Sequence, residues 1–258
     1  MAILCEKEQY IAKMEEAFKY KKELLKYVKG SRILDFGCGS GIVASAIKQR
    51  NSDKYVVGYD QEPKMIEVAQ TYGSANSFTT VFPTEKFDTI ILSSVLHEVF
   101  SYENGKQSVI DLITKLRDNN LADGGIIIIR DGFTLDIEEC EIRTKFIDNI
   151  DGKRFYDFYV KNYKWEVPAF DGKYIIGSVS VVKEFLNKYT WGWGSLPREI
   201  NEKINFFSAK EYKEMAKSLG FYSEFKLISQ KSYFTYLKKK VILDYTWDTH
   251  LVTILHKA

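Results

Sequence analysis

Residues 33–41 read Ile33-Leu34-Asp35-Phe36-Gly37-Cys38-Gly39-Ser40-Gly41, and their reading decides the fold. A short apolar run, Ile33–Phe36, has the length of a buried strand. Gly-x-Gly-x-Gly follows, and then Ile42–Arg50 carries a helical pattern. A strand entering a helix through glycines lets the backbone turn tightly and lets a ligand lie against main-chain atoms. The helix start behind the turn offers N–H groups without intrahelical partners. Such a turn predicts an adenosine-bearing ligand at the carboxyl end of the first strand of an open α/β sheet.

Outward from the turn, strands and helices alternate. Tyr55–Tyr59 reads as a strand ending at Asp60, and Pro63 opens a helix that runs to about Thr71. Ser77–Thr80 is a weak strand and Asp88–Ser93 a strong one, with no room for a full helix between them. Ser108–Asn119 reads as a helix, Asp123-Gly124-Gly125 as a turn and Ile126–Ile129 as a buried strand. Upstream, residues 6–28 have helical spacing at Ile11, Met14, Phe18, Leu25 and Val28, with Gly30 as the cap. The alternation stops after Asp131 and resumes at Ser208, where Ser208-Ala209-Lys210-Glu211 is a capping box. Glu224–Ser229 and Thr249–His256 close the pattern as two further strands. The predicted fold is α/β: a doubly wound, mostly parallel seven-stranded sheet with an aromatic-rich insertion after the fifth strand. The domain reading places an N-terminal helix, a candidate for a second cap, at 1–29, the core at 30–131 and 208–258, and the insertion, expected to be the acceptor cap, at 132–207.

The identity of the ligand turns on a few residues. A dinucleotide fingerprint, Gly-x-Gly-x-x-Gly, would need glycine where Ile42 stands, and a phosphate-binding loop ends Gly-Lys-Ser/Thr, whereas Gly41 is followed by Ile42. Asp35 would repel a pyrophosphate but attract an ammonium group. S-adenosylmethionine (SAM) carries ammonium and sulfonium charges and no phosphate, so the acid favours it. Asp60, about 20 residues past the turn, suits both ribose hydroxyls, although an acid just before Pro63 also suits a helix N-cap.

Composition bounds the rest. The 258 residues carry 37 basic and 35 acidic side chains, a net charge of +2 that both halves share evenly. That balance disfavours a strong phosphate-backbone binder. Cys5, Cys38 and Cys140 are too scattered for a disulfide framework or a zinc site. No secretory leader or 18-residue apolar run is present, so the expected setting is the cytoplasm.

Ile33–Gly41, Tyr59-Asp60, Phe87–His97 and Leu121–Ile129 resemble, in order, the motifs of class I SAM-dependent methyltransferases, most nearly the ubiquinone/menaquinone-biosynthesis group. The resemblance covers residues 30–131 and 208–256. It implies that Asp35 and the backbone around Gly37–Gly39 hold the methionine part and Asp60 the ribose. Gln61 then lies beside the adenine and Ser93 lines the cofactor, while Phe36, Cys38 and Gly41 complete the turn. S-adenosylhomocysteine (SAH) is the implied product. Many members carry an acid after the third strand for the adenine amino group; here Ser77-Phe78-Thr79-Thr80 has none, and the substitute is either a hydroxyl such as that of Thr79 or a main-chain carbonyl.

Methyl transfer rests largely on positioning, and a base is needed only where the acceptor loses a proton. His97, after the fourth strand, is the first candidate for that base, and its alternative role is packing beside the cofactor. Glu98 and Asp131 are weaker candidates, and His250 and His256 read as structural. No metal site is expected: the acid that metal-dependent catechol-type enzymes place after the fourth strand is replaced by Ser93-Ser94. The Asn/Asp-Pro-Pro-Tyr motif of amino-directed DNA enzymes and the Pro-Cys pair of cytosine C5 enzymes are also missing.

The insertion holds 16 aromatic residues in 76, with 11 basic and 12 acidic ones. Phe155, Tyr156, Phe158, Tyr159, Tyr163, Trp165, Tyr189, Trp191 and Trp193 either wall an apolar pocket or form the insertion's own core. Without a basic funnel they favour a small-molecule acceptor over nucleic acid. The competing readings are an RNA or DNA methyltransferase and a non-catalytic SAM-binding scaffold.

Overall fold

A computed structural model describes residues 18, 19, 21–136, 140–243 and 246–257. Most of the helix foreseen over residues 6–28, with Ile11 and Met14, lies outside them. Within them a 3-10 turn spans Lys22–Lys26 and buries Leu24.

The main sheet contains β1 (Arg32–Phe36), β2 (Tyr55–Tyr59), β3 (Ser77–Thr79), β4 (Phe87–Ser93), β5 (Leu121–Asp131), β9 (Phe221–Ile228) and β11 (His250–Lys257). Their order is β3-β2-β1-β4-β5-β11-β9. Every determined pairing is parallel except those of β11 with β5 and β9. The seven-stranded, mostly parallel sheet expected from the alternation is therefore the fold. β1 reads Arg-Ile-Leu-Asp-Phe and β5 carries four successive isoleucines, Ile126–Ile129, so apolar side chains on both faces require helices on both faces. On one face α1 (Ile42–Arg50) and α2 (Pro63–Tyr72) cover Ile33, Val56, Ile91, Ile128 and Val252. On the other, α3 (Leu96–Tyr102), α4 (Lys106–Lys115) and α8 (Ala209–Ser218) cover Leu34, Ile90, Leu92, Ile127 and Ile129. Ser208 and Glu211 form the expected capping box of α8.

Two local readings change. The 108–119 segment is the end of a longer stretch, since α3 and α4 precede a π-helical turn at Leu116–Asn120. Asp123-Gly124-Gly125 is an irregularity within β5 and not a turn before it: the β4–β5 register slips between Phe87 and Thr89, and Gly124 takes a φ of 65°.

Residues 132–207 are also more regular than their sequence suggests. They hold β6 (Glu141–Phe146), α5 (Asn149–Asn162), β7 (Ala169–Phe170), β8 (Ile175–Ser178), α6 (Val179–Trp191) and α7 (Leu196–Glu199). Asp148 caps α5 by accepting from the amides of Ile150 and Asp151. Ser178 caps α6. A second sheet, ordered β10-β6-β8-β7, borrows β10 (Val241–Ile242) from the connection between β9 and β11. That connection also carries α9 (Lys231–Leu237), and Phe234, Leu237, Val241, Leu243 and Trp247 pack in the core of the second layer. Position in the chain groups this connection with the main domain, yet these five side chains fill the core of the insertion. The aromatics of the insertion are mostly that core: Phe155, Tyr159, Tyr163, Phe185 and Tyr189 are buried, with rings in edge-on or stacked contact. Phe158 and Trp191 are exposed.

Candidate functional site

The glycine turn is fastened to the end of β2. The amides of Gly37 and Cys38 both donate to the Tyr59 carbonyl, at 2.7 and 2.9 Å. Gly39 N–H donates to Asp60 Oδ2 at 2.8 Å, and Asp60 Oδ1 accepts from Glu62 N–H at 3.0 Å. Gly37, Gly39 and Gly41 all have positive φ, and a Cβ on Gly37 would meet Val95 Cγ2 at 2.4 Å. Both backbone conformation and space thus require glycine there. Asp35 is 2% exposed and accepts from the Ala44 amide in the first turn of α1 at 3.0 Å. Burial pushes its pKa up to about 6, against the pull of Lys21 and the Ala44 amide.

The structure brings Asp35, Gly37, Gly39, Gly41 and Asp60 together at the carboxyl ends of β1 and β2. Thr79 joins them: its carbonyl accepts from Asp60 N–H at 3.2 Å, while its hydroxyl accepts from Val81 N–H. Gln61 is exposed beside Asp60. Ser93 ends β4 with a buried Oγ that has no partner among the described residues. Two members of the set are placed differently from the rest. Phe36 points to the opposite face of the sheet, against Tyr59 and Phe82, with ring centroids 4.9 and 5.8 Å away. The Cys38 side chain packs into the core under α1, and burial raises its thiol pKa. For both residues, only the main chain faces the turn.

Asp60 fits a ribose. A carboxylate offers about four lone-pair sites, and two are taken by amides, so two remain for vicinal hydroxyls. The orphaned Ser93 Oγ and the glycine cradle suit a polar ligand lying along the turn.

Ser94 follows with a φ of 62°, unusual for a residue with a side chain, at the point where β4 leaves the sheet. Beyond it, Asp131 Oδ2 accepts from the amides of Leu96 and His97, and Asp131 Oδ1 meets His97 Nδ1 at 2.8 Å. His97 Nε2 lies 3.7 Å from Glu202 of the cap. Burial lowers the pKa of His97, but the charge and hydrogen bond of Asp131, then Glu202, outweigh it and hold the ring at about 10. His97, Glu98 and Glu202 bring donor atoms within 4.8 Å of one another, a spacing that a metal ion can use. The protonated His97 and Arg198, whose Nε lies 3.8 Å from Glu202, already supply positive charge there. His256 pairs with the exposed Glu224 at 3.0 Å, away from the turn. His250 opens β11, with Nδ1 3.0 Å from Thr249 Oγ1.

The sequence reading missed several buried charges. Arg130 is 3% exposed at the end of β5, with Nη1 3.3 Å from Ser94 Oγ and Nε unpartnered among the described residues. Its signal was an arginine closing a run of isoleucines. In α6, Lys183 donates to the Phe133 carbonyl at 2.7 Å. Glu184 accepts from Tyr163, from the amides of Ile204 and Asn205, and from Asn205 Nδ2, and lies 3.3 Å from Lys188. Two surface depressions, about 380 and 500 Å3, lie away from the glycine turn, one beside Lys145, Asn149 and Lys173 and the other beside Asp136, Lys210 and Lys213. The polar constellation therefore marks the site better than concavity does.

A family model described as "Methyltransferase domain" matches residues 8–224. The chain belongs to this methyltransferase-domain family. Among solved structures, a SAM-dependent methyltransferase from Archaeoglobus fulgidus superposes with a TM-score of 0.54 at 12% identity, over 94% of each chain. The plantazolicin methyltransferase BpumL, in complex with a triazolic desmethylPZN analog and SAH, gives 0.50 at 13% identity, over 94% of this chain and 82% of that one. These likenesses concern the fold. No curated protein matches the chain in sequence. Among the described residues no helix is long and apolar enough to cross a membrane.

Proposed function

We propose that the protein binds SAM along the carboxyl ends of β1, β2 and β4 and transfers its methyl group to a small-molecule acceptor beneath the cap, in the cytoplasm. The observation that carries this reading is the convergence of Asp35, the Gly37–Gly41 turn and Asp60. Asp35 presents negative charge to the methionine ammonium, and Asp60 accepts from the ribose hydroxyls. Thr79 and Gln61 border the adenine, and Ser93 lines the path toward the acceptor. The sulfonium supplies an activated methyl group, so the chain's main task is to hold two reactants in line and keep water out.

His97 serves as a charged tie in this reading and not as the base. A ring held protonated to about pH 10 between Asp131 and Glu202 has no free lone pair at neutral pH. It fixes the entry to α3 beside Ser93 and links it to the cap. The even charge of the insertion supports a small acceptor over RNA or DNA. The order of motifs supports kinship with the ubiquinone-type group.

The test is calorimetric titration with SAH, with NAD as the control ligand and Asp60→Ala alongside. SAH binding that weakens in the variant, with no NAD binding, is the expected result. A folded wild-type protein that ignores SAH rejects the reading and leaves a scaffold role in its place.

A further inference from the structure

On the face of the main sheet that holds Asp35, a row of polar side chains steps across four strands at their open ends. Asp35 of β1 pairs with Ile91 of β4, two residues before Ser93 on the same face. Ser93 pairs with Arg130 of β5. Arg130 pairs with Val252 of β11, two residues from His250 on the same face. Past this end of the row, α6 of the cap reaches the chain beyond β5. Lys183 Nζ donates to the carbonyl of Phe133, three residues past Arg130, and lies 4.3 Å from the centre of that ring. The row thus begins acidic at the cofactor turn and ends basic where β5, β11 and α6 meet.

The basic end lacks an anion. Arg130 and Lys183 are both buried, and neither forms an ion pair among the described residues. Arg130 Nε and the adjacent Ser93 Oγ have no hydrogen-bond partner there. The nearby acids are committed elsewhere. Asp131 serves His97 and the amides of Leu96, His97 and Gly132. Glu184 serves Lys188, Tyr163, Ile204 and Asn205. Burial pushes the pKa of Lys183 down to about 7, and the charges of Glu184 and then Asp248 offset it only in part. Burial and then the charge of Arg130 push His250 well below its ordinary range. Buried positive charge without a partner is costly, and an entering anion offsets that cost.

We propose that Arg130, Lys183 and His250 form a buried binding site for a carboxylate carried by the methyl acceptor, next to Ser93 at the β5–β11 end of the site. The proposal rests on the cofactor reading above, because the row is what sets the acceptor beside the methyl donor. The methionine part of the cofactor also carries a carboxylate, so the two sources must be separated by experiment.

Wild type, Arg130→Gln and Lys183→Met are titrated with SAH and with methylthioadenosine, which lacks the amino-acid carboxylate. SAH-saturated protein is then titrated with acetate and benzoate, each against its amide. The expected result is a preference of about tenfold for at least one carboxylate over its amide in wild type, lost in both variants, with SAH affinity held within about threefold. Lys183→Arg, which keeps the charge, retains the preference. A wild type without any preference overturns the proposal and needs no variant. So do folded variants that keep it, and variants that lose SAH but not methylthioadenosine, since the cations would then serve the cofactor. Failure of SAH to bind wild type rejects the cofactor reading instead, and the carboxylate comparison repeated without SAH still decides the site.

Discussion

His97 lets a substitution and a pH change test the same bond. In the folded protein Asp131 and Glu202 outweigh burial and keep the ring charged to about pH 10, whereas the ordinary value is 6.5. A folded pKa above the unfolded one gives a contribution that is complete below about pH 6.5 and is lost as the pH rises toward 10. Across that window the loss accrues at about 1.4 kcal/mol per pH unit, or about 2–3 kcal/mol between about pH 7 and about pH 9. His97→Gln keeps a donor near Asp131 but removes the charge. Asp131, with a side chain 3% exposed, then loses its ion-pair partner. Breaking a buried pair costs about 3–5 kcal/mol, and the retained donor places this variant near the lower figure. Urea unfolding of both proteins at about pH 7 and about pH 9 reads the difference directly. Wild type should be more stable by about 3 kcal/mol at the lower pH, with most of that advantage gone at the higher. Proton NMR of the His97 ring should show no titration through its ordinary range. A stability difference that stays flat with pH, or a ring that titrates near 6.5, refutes the tie and restores His97 as a candidate base.

Three further outcomes follow from the site and the cap. Asp60→Ala removes two charge-assisted acceptor positions, so SAH affinity measured by calorimetry should fall about 100-fold, the equivalent of about 3 kcal/mol; an unchanged affinity would remove Asp60 from the ribose. Asp35 has a pKa raised to about 6, so SAH binding should weaken as the pH falls through that value and the carboxylate neutralises. Asp35→Asn should bind weakly at every pH without that inflection, and a variant that retains the inflection would assign it to another group. Glu184→Ala leaves Lys188 only Glu199, 3.7 Å away, and frees the amides of Ile204 and Asn205, which should cost about 3 kcal/mol in urea unfolding; Glu184→Gln should cost less because it still accepts hydrogen bonds, and equal losses would show that the charge and not the hydrogen bonding carries the contribution.

The main sheet was legible because its signals are local. A buried parallel strand is a short apolar run, and β1, β2, β4 and the end of β5 are such runs, bounded by Asp60, Ser93 and Asp131. The glycine turn is equally local, since three positive φ values need three glycines within five residues. The cap was not legible, because its order comes from distant partners. β10 is two residues long and exists by pairing with β6 about 95 residues earlier. Phe234 and Trp247 find their core only after β9 has returned the chain to the cap. Phe36 shows the same limit on a small scale. Its place in the motif suggested the ligand, but the alternation of a strand sends its side chain to the face opposite Asp35.

The buried charges are concentrated where the cap meets the sheet. Glu202 reaches His97 at the start of α3, Lys183 reaches the Phe133 carbonyl beyond β5, and Glu184 holds the amides at 204 and 205 that lead back to α8. Apolar contacts alone would let the cap slide, because they are not directional. Charged hydrogen bonds fix both angle and distance, and each is costly to leave unmade. The cap is therefore held in one register over the ends of β4, β5 and β11, the strands that carry Ser93, Arg130 and His250. A reaction that depends on in-line placement needs this kind of support. Substitutions at Glu202 should thus disturb the reaction through geometry, lowering kcat for a bound acceptor more than SAH affinity. Equal losses in both would mean that the cap supports the whole cofactor site and not the acceptor end of it.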